Sequence, residues 1–179
     1  MPSPFAHPAP ALALATFFRS PRLPARVVVA GVLCSVAPDL DTVGRRLGIF
    51  WGPMMQHRCL THSIAFAAVL GAAVALAVRR RWTAIPFATL WLYLFLATAS
   101  HGFLDAFTNG GRGVAFFAPF SKARYFSPWR PIEVSPLRVD RFWERAPVVL
   151  ASEALWVWTP STAVALIVAF ARRGRNSPG

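Results

Sequence analysis

The residues able to do chemistry are few, and they are grouped. Asp39 and Asp41 stand in Ala37-Pro38-Asp39-Leu40-Asp41, His57 and His62 in His57-Arg58-Cys59-Leu60-Thr61-His62-Ser63, and His101 and Asp105 in Ser100-His101-Gly102-Phe103-Leu104-Asp105. With His7 added, every histidine and every aspartate except Asp140 lies at the end of an apolar stretch. Ionisable groups at membrane depth are expensive, so they face a bundle interior or an aqueous cavity. His101 and Asp105 are i and i+4 on a helix and share one face, so an imidazole and a carboxylate there can hold one metal ion.

Imidazoles and carboxylates without cysteine suit Zn, Mn, Fe or Ni better than Ca or a structural zinc cage. His7, Asp39, Asp41, His57, His62, His101 and Asp105 are more ligands than one catalytic ion takes, so one or two ions fit. Two would share a bridging carboxylate and activate a water between them. The natural reaction is hydrolysis of a phosphoester, because a pair of ions stabilises attacking and leaving oxygens together. Asp39 and Asp41 then act as ligand and as bridging ligand or general base, and Arg58 as an anion-binding group.

These residues must be positioned by helices. Five apolar stretches are readable, at residues 5–18, 21–37, 62–78, 84–107 and 147–171. The first two are short and flank the basic turn Arg19-Ser20-Pro21-Arg22, which suggests a helical hairpin too short for two ordinary spans. The third and fourth are joined by Arg79-Arg80-Arg81-Trp82 and read as an antiparallel transmembrane hairpin. A turn centred there sets His62 level with His101, and a turn near Pro21 sets His7 within about a helical turn of Asp39. Pro38 is expected to end the second helix, leaving residues 39–41 extended with both carboxylates pointing one way. Thr61 and Ser63 could cap the third helix. Residues 108–146 form a long loop rich in Gly, Pro, Arg and aromatics before the last helix. Its aromatics suit an interfacial belt. The brief alternation Ile132-Glu133-Val134 sits among prolines, so the fold class is all-α, a single membrane-embedded bundle.

Composition agrees. The 179 residues are 55% hydrophobic with a mean hydropathy of +0.46, yet 19 Lys+Arg against 7 Asp+Glu give a net charge of +12. A disordered basic tail would lack the hydrophobicity, and a soluble domain seldom combines such hydropathy with so few charges. Nine of the cations cluster away from the histidines, at Arg19, Arg22, Arg26, Arg79 to Arg81, Arg172, Arg173 and Arg175, against ten on the histidine side. The compact clusters suggest a cytoplasmic face and a site facing the periplasm or exterior. Lipid head groups are the expected anionic partner of the arginines. No helix-turn-helix or zinc-finger spacing supports nucleic-acid binding. No Gly-x-Ser-x-Gly elbow supports a serine nucleophile, and no helix follows Gly110, Gly111 and Gly113 as in a phosphate-binding loop. Cys34 and Cys59 provide no disulfide framework.

The three motifs, in this order and spacing, with Ala118-Pro119-Phe120-Ser121 after them, resemble the YdjM family of inner-membrane proteins, described as membrane-bound metal-dependent hydrolases. The resemblance covers residues 7–121. A more remote similarity links the family to the all-helical zinc phospholipase C/P1 nuclease group, whose His-x-x-x-Asp pair is matched by His101 and Asp105. The resemblance implies metal-site roles for Asp39, Asp41, His57, His62, His101 and Asp105, with His7 as the N-terminal ligand. No further histidine follows Asp105, so the three-zinc set of the phospholipase group is incomplete here. The expected activity is hydrolysis of an amphipathic phosphoester, such as a phospholipid or a lipid-linked phosphate, in a multi-pass inner-membrane protein. The rival is a non-enzymatic membrane protein with a structural metal site or a protein-docking loop. A metal transporter would need ligands near mid-membrane.

Overall fold

A computed structural model describes residues 1–18, 22–49, 52–82, 84–136 and 138–174. The described chain is all-α: α1 (Pro8–Ala15), α2 (Ala25–Val36), α3 (Leu40–Arg46), α4 (Ile64–Trp82), α5 (Phe87–Ala106), α6 (Val139–Glu153) and α7 (Thr159–Gly174). Tight 3-10 turns occupy Ala37–Asp39, Pro53–Met55 and Leu60–His62, and a π turn, Ala154–Trp158, joins α6 to α7. Among the described residues, three stretches are long and apolar enough to cross a membrane: Ala25–Gly44, Phe87–Ala106 and Asp140–Arg172. Leu155, Val164, Leu166, Ile167 and Phe170 lie exposed along the last of these. Such a stripe is stable against lipid and not against water.

The scaffold of the site is the α4–α5 hairpin with α2 laid against it. Gly71 on α4 meets the α5 backbone so closely that a Cβ would lie 2.8 Å from the Phe95 nitrogen. Near the other end of the pair, a Cβ on Gly102 would lie 2.7 Å from the His62 carbonyl oxygen. The two glycines let the backbones approach, as small residues do at membrane helix contacts. Tyr93, fully buried on α5, points its hydroxyl at the carbonyls of Ala11 on α1 and Val28 on α2, 3.3 Å from each. Gly31 leaves room for that ring. One side chain thereby ties three helices, and Val27, Cys34, Ala75, Val78, Leu90 and Leu94 fill the apolar space around it.

The expected segments are present with shifted ends. The basic turn at residues 19–21 lies outside the described residues. Helix α4 continues through Arg79, Arg80 and Arg81 to Trp82, so the hairpin turns later than the arginines, before Pro86 starts α5. Arginine is a good helix former, and an exposed helix end tolerates its charge. The last helical run begins at Val139 rather than Pro147, and the loop is correspondingly shorter. Its first turns carry Asp140, Arg141, Glu144 and Arg145, which hydropathy alone excludes from the helix. The loop itself is anchored. Thr108 pairs with Ile132 and Val114 with Tyr125 as isolated bridges, and the Ser127 N–H donates to the Ala106 carbonyl at 2.9 Å.

Residues 39–41 are not extended. Helix α2 ends at Val36, Pro38 sits second in the 3-10 turn Ala37–Asp39, where its missing N–H is not needed, and α3 follows directly. Two residues along a helical path rotate a side chain by about 200°, so Asp39 and Asp41 leave in different directions. Asp39 lies nearest His101 and Asp41 nearest His57, and both reach His62.

If close approach at Gly71 sets the hairpin, Gly71→Leu should destabilise the detergent-solubilised protein by about 1–3 kcal/mol. Thermal unfolding followed by circular dichroism checks this; an unchanged midpoint contradicts it.

Candidate metal centre

Five separate pieces of chain deliver the seven candidate ligands. His7 precedes α1, Asp39 ends a 3-10 turn, Asp41 opens α3, His57 and His62 flank a tight loop, and His101 and Asp105 stand on α5. All seven converge. The His62 and His101 Nε2 atoms are 3.2 Å apart, and the His7 and His101 rings stack at 3.7 Å between centroids. Asp39 Oδ1 lies 3.3 Å from His101 Nε2 and 3.7 Å from His62 Nε2. Asp41 Oδ1 lies 3.0 Å from His57 Nδ1, and Asp105 Oδ2 lies 3.3 Å from His62 Nε2.

Three overlapping groups have one ligand atom per residue within 4.8 Å of each other: His7, His101 and Asp105; Asp39, His62 and His101; and Asp41, His57 and His62. His101 belongs to two of them, as does His62, so the cluster forms a chain of adjoining sites.

Hydrogen bonds from outside the cluster set the imidazoles. His101 Nδ1 lies 2.7 Å from the Ser35 carbonyl, which can only accept, so Nδ1 carries the proton and Nε2 turns its lone pair inward. The Thr61 hydroxyl donates to Asp41 Oδ2 at 2.8 Å and sits 2.9 Å from His62 Nδ1. With its hydrogen committed to Asp41, that oxygen accepts from His62 Nδ1, and His62 Nε2 also faces inward, toward Asp105, Asp39 and His101. Burial opposes charge on this ring, but the Asp105 and Asp39 carboxylates push its pKa up to about 9, so the space between the two rings favours a cation, whether a proton or a metal ion. His7 is fully buried, and this burial first, then the neighbouring His101, holds its imidazole well below the usual histidine range. It stands neutral and able to ligate.

Among the described residues, the buried side-chain atoms with no hydrogen-bond partner are both ring nitrogens of His7, both oxygens of Asp39, His57 Nε2 and Asp105 Oδ2. Every one belongs to this cluster. Buried polar atoms are ordinarily satisfied, and these are left without partners in one cluster. The donor set fits a divalent metal ion with nitrogen and oxygen ligation, without sulfur.

Arg58 completes the arrangement in an unexpected way. It is 1% exposed and has a positive φ of 65°. Its Nε lies 3.2 Å from Asp105 Oδ2, and its terminal nitrogens donate to Asp105 Oδ1, the Thr108 hydroxyl and the carbonyls of Gly110 and Arg112. The guanidinium is engaged in holding Asp105 and the start of the long loop, with Gly111 packed on it. Of the two hydroxyls flanking His62, Ser63 accepts from the Phe66 N–H at 3.0 Å and caps α4, whereas Thr61 serves the site. Ser35 and Thr108 give no signal in sequence, because a backbone carbonyl belongs to every residue and a lone threonine has no motif.

The family model described as YdjM inner membrane protein matches residues 1–177. The Escherichia coli (strain K12) protein named "Inner membrane protein YbcI" is 34% identical over 163 residues, covering 89% of this chain and 92% of its own. The chain therefore belongs to the YdjM family of inner membrane proteins. No solved structure matches.

Two substitutions separate the roles found here. Arg58→Ala removes the guanidinium from the buried Asp105 and the loop carbonyls, and should lower stability by about 3–5 kcal/mol, read by thermal unfolding. Thr61→Val should leave the fold intact and weaken metal binding by roughly 10- to 100-fold, read by titration with Zn.

Proposed function

We propose that the protein is a membrane-bound metal-dependent hydrolase acting on a phosphoester of a lipid or lipid-linked substrate. The observation that carries the reading is the convergence of four imidazoles and three carboxylates, with their free atoms buried and facing each other, at one end of an apolar bundle. One or two divalent ions, zinc before manganese, iron or nickel, would be held by His7, Asp39, Asp41, His57, His62, His101 and Asp105. When bound, they supply Lewis acidity toward a phosphoryl oxygen and activation of water.

The chain's own residues divide the remaining work. Asp39 and His57 are the least enclosed, with 11% and 16% of their side chains exposed. Asp39 keeps both oxygens free of hydrogen bonds and is the candidate general base or bridging ligand. Asp41 is fixed by Thr61 and His57 and serves as ligand. Arg58, with its donors engaged, positions Asp105 rather than binding substrate. The exposed Arg112 beside it, bonded to Gln56, is left to meet an anionic substrate.

An apolar groove of about 560 Å³ between α2 and α4 supports a lipidic substrate. It is lined by Ala30, Leu33, Leu70 and Val74, and extends to Ala37 and Leu40, on either side of Asp39. An acyl chain lying there would bring its head group to the most open carboxylate of the cluster. Arg22 and Arg172 line one cavity together at the far ends of α2 and α7, which favours a cytoplasmic face there and the site toward the periplasm. The deep burial of His7, His101 and Asp105 favours a second reading for that subsite alone, a structural ion supporting catalysis beside it.

The test is phosphoesterase assay in mixed micelles with a long-chain and a short-chain, water-soluble substrate. Asp39→Asn should lower turnover of both by roughly 10²- to 10⁴-fold. Ala37→Trp, which fills the groove, should slow the long-chain substrate and spare the short one. Chelation should abolish turnover, and acidification should release the metal as its ligands protonate. Bound metal without turnover of any ester would contradict the hydrolase reading.

A further inference from the structure

Glu153 stands at the end of α6, within the stretch Asp140–Arg172 that is long enough to cross the membrane, and is 1% exposed. A buried carboxylate in such a helix needs donors. It has two, both from one residue. The Ser3 backbone N–H donates to Oε1, and the Ser3 hydroxyl donates to Oε2 at 2.6 Å. Ser3 is itself fully buried. Directly after Glu153 the helix loosens into the π turn Ala154–Trp158, a distortion found often at functional positions.

The segment held by this lock leads straight into the metal centre. Ala6 N–H donates to the Ser3 carbonyl and Ala9 N–H to the Ala6 carbonyl, so residues 3–9 form consecutive turns rather than a slack strand. Ala6 and Ala9 pack with Leu104 of α5 and Val157 of the π turn. His7, between them, has no hydrogen bond at either ring nitrogen. With Nε2 3.9 Å from Asp39 Oδ2, its fully buried ring is placed by its backbone, by stacking on His101 and by the packing around it, and no hydrogen bond fixes it.

We infer that Glu153 is a positioning residue that seats His7 in the His7, His101 and Asp105 subsite, making the last span an arm of the metal centre. The inference rests on the metal reading above. It gives α6 and α7 a role that hydropathy alone does not suggest.

The experiment compares zinc content and zinc affinity of purified wild type, Glu153→Leu, Glu153→Gln, His7→Ala and the Glu153→Leu/His7→Ala double variant. Glu153→Leu should lose the same share of zinc as His7→Ala, with affinity at that subsite down by about 10- to 100-fold, and the double variant should lose no more. Glu153→Gln should bind as wild type, since an amide can accept from the Ser3 N–H and donate to the Ser3 hydroxyl. Wild-type binding by Glu153→Leu, additive loss in the double variant, or a fall in Glu153→Gln equal to that in Glu153→Leu would overturn the assignment. Ser3→Ala, which removes one of the two bonds, should show a smaller loss and serves if Glu153→Leu fails to fold; unchanged zinc affinity there overturns the lock. Hydrogen exchange at the Ala6 and His7 amides reads the same lock without metal. Faster exchange in Glu153→Leu supports it, and unchanged exchange overturns it even if wild type binds no zinc and the metal reading falls by itself.

Discussion

The rest of the structure depends on the short distance between two imidazole nitrogens turned inward among buried carboxylates. His62 and His101 face each other at 3.2 Å, with their Nδ1 atoms already committed to Thr61 and to the Ser35 carbonyl. Asp39 and Asp105 crowd the same space. In water such groups would turn outward and hydrate. Inside an apolar bundle they cannot, and leaving them unpaired there is costly. A divalent ion held among them would offset the desolvation of all these groups together, which unrelated buried polar residues would not require.

The fold holds these groups together. Rigidity comes from three sources. Gly71 and Gly102 bring the α4 and α5 regions into backbone contact, Tyr93 joins α1, α2 and α5, and Arg58 neutralises Asp105 and anchors the loop that begins at Thr108. Cations and carbonyls around the site are bonded to each other. Arg124, for example, donates to the carbonyls of Arg58 and Gly113. The more open side, at Asp39 and His57, is left for exchange with solvent or substrate.

Much of this was legible because charge is so scarce in the sequence. In a chain where acids and histidines are few, their position at the ends of apolar stretches marks the site, and a helical hairpin places His62 beside His101 by length alone. The all-α class followed from the same stretches. What could not be read was local backbone geometry and partner choice. Helix α2 ends before Pro38 as expected, yet the residues that follow turn instead of extending, because a proline in the first positions of a turn loses no hydrogen bond. Arg58 resembled an exposed anion binder, although its positive φ folds it inward onto Asp105. The polar first turns of α6 hid a helix from hydropathy, and with it the reach of Glu153 to Ser3.

The central claim is that the cluster is a metal centre with imidazole and carboxylate ligands. X-ray absorption on protein purified in detergent without added metal or chelator tests this most directly. The account predicts a bound first-row divalent ion, zinc first, with a nitrogen and oxygen shell, outer-shell scattering from several imidazoles, and no sulfur at about 2.3 Å. A folded protein free of metal, or an ion bound through Cys34 or Cys59, would contradict it.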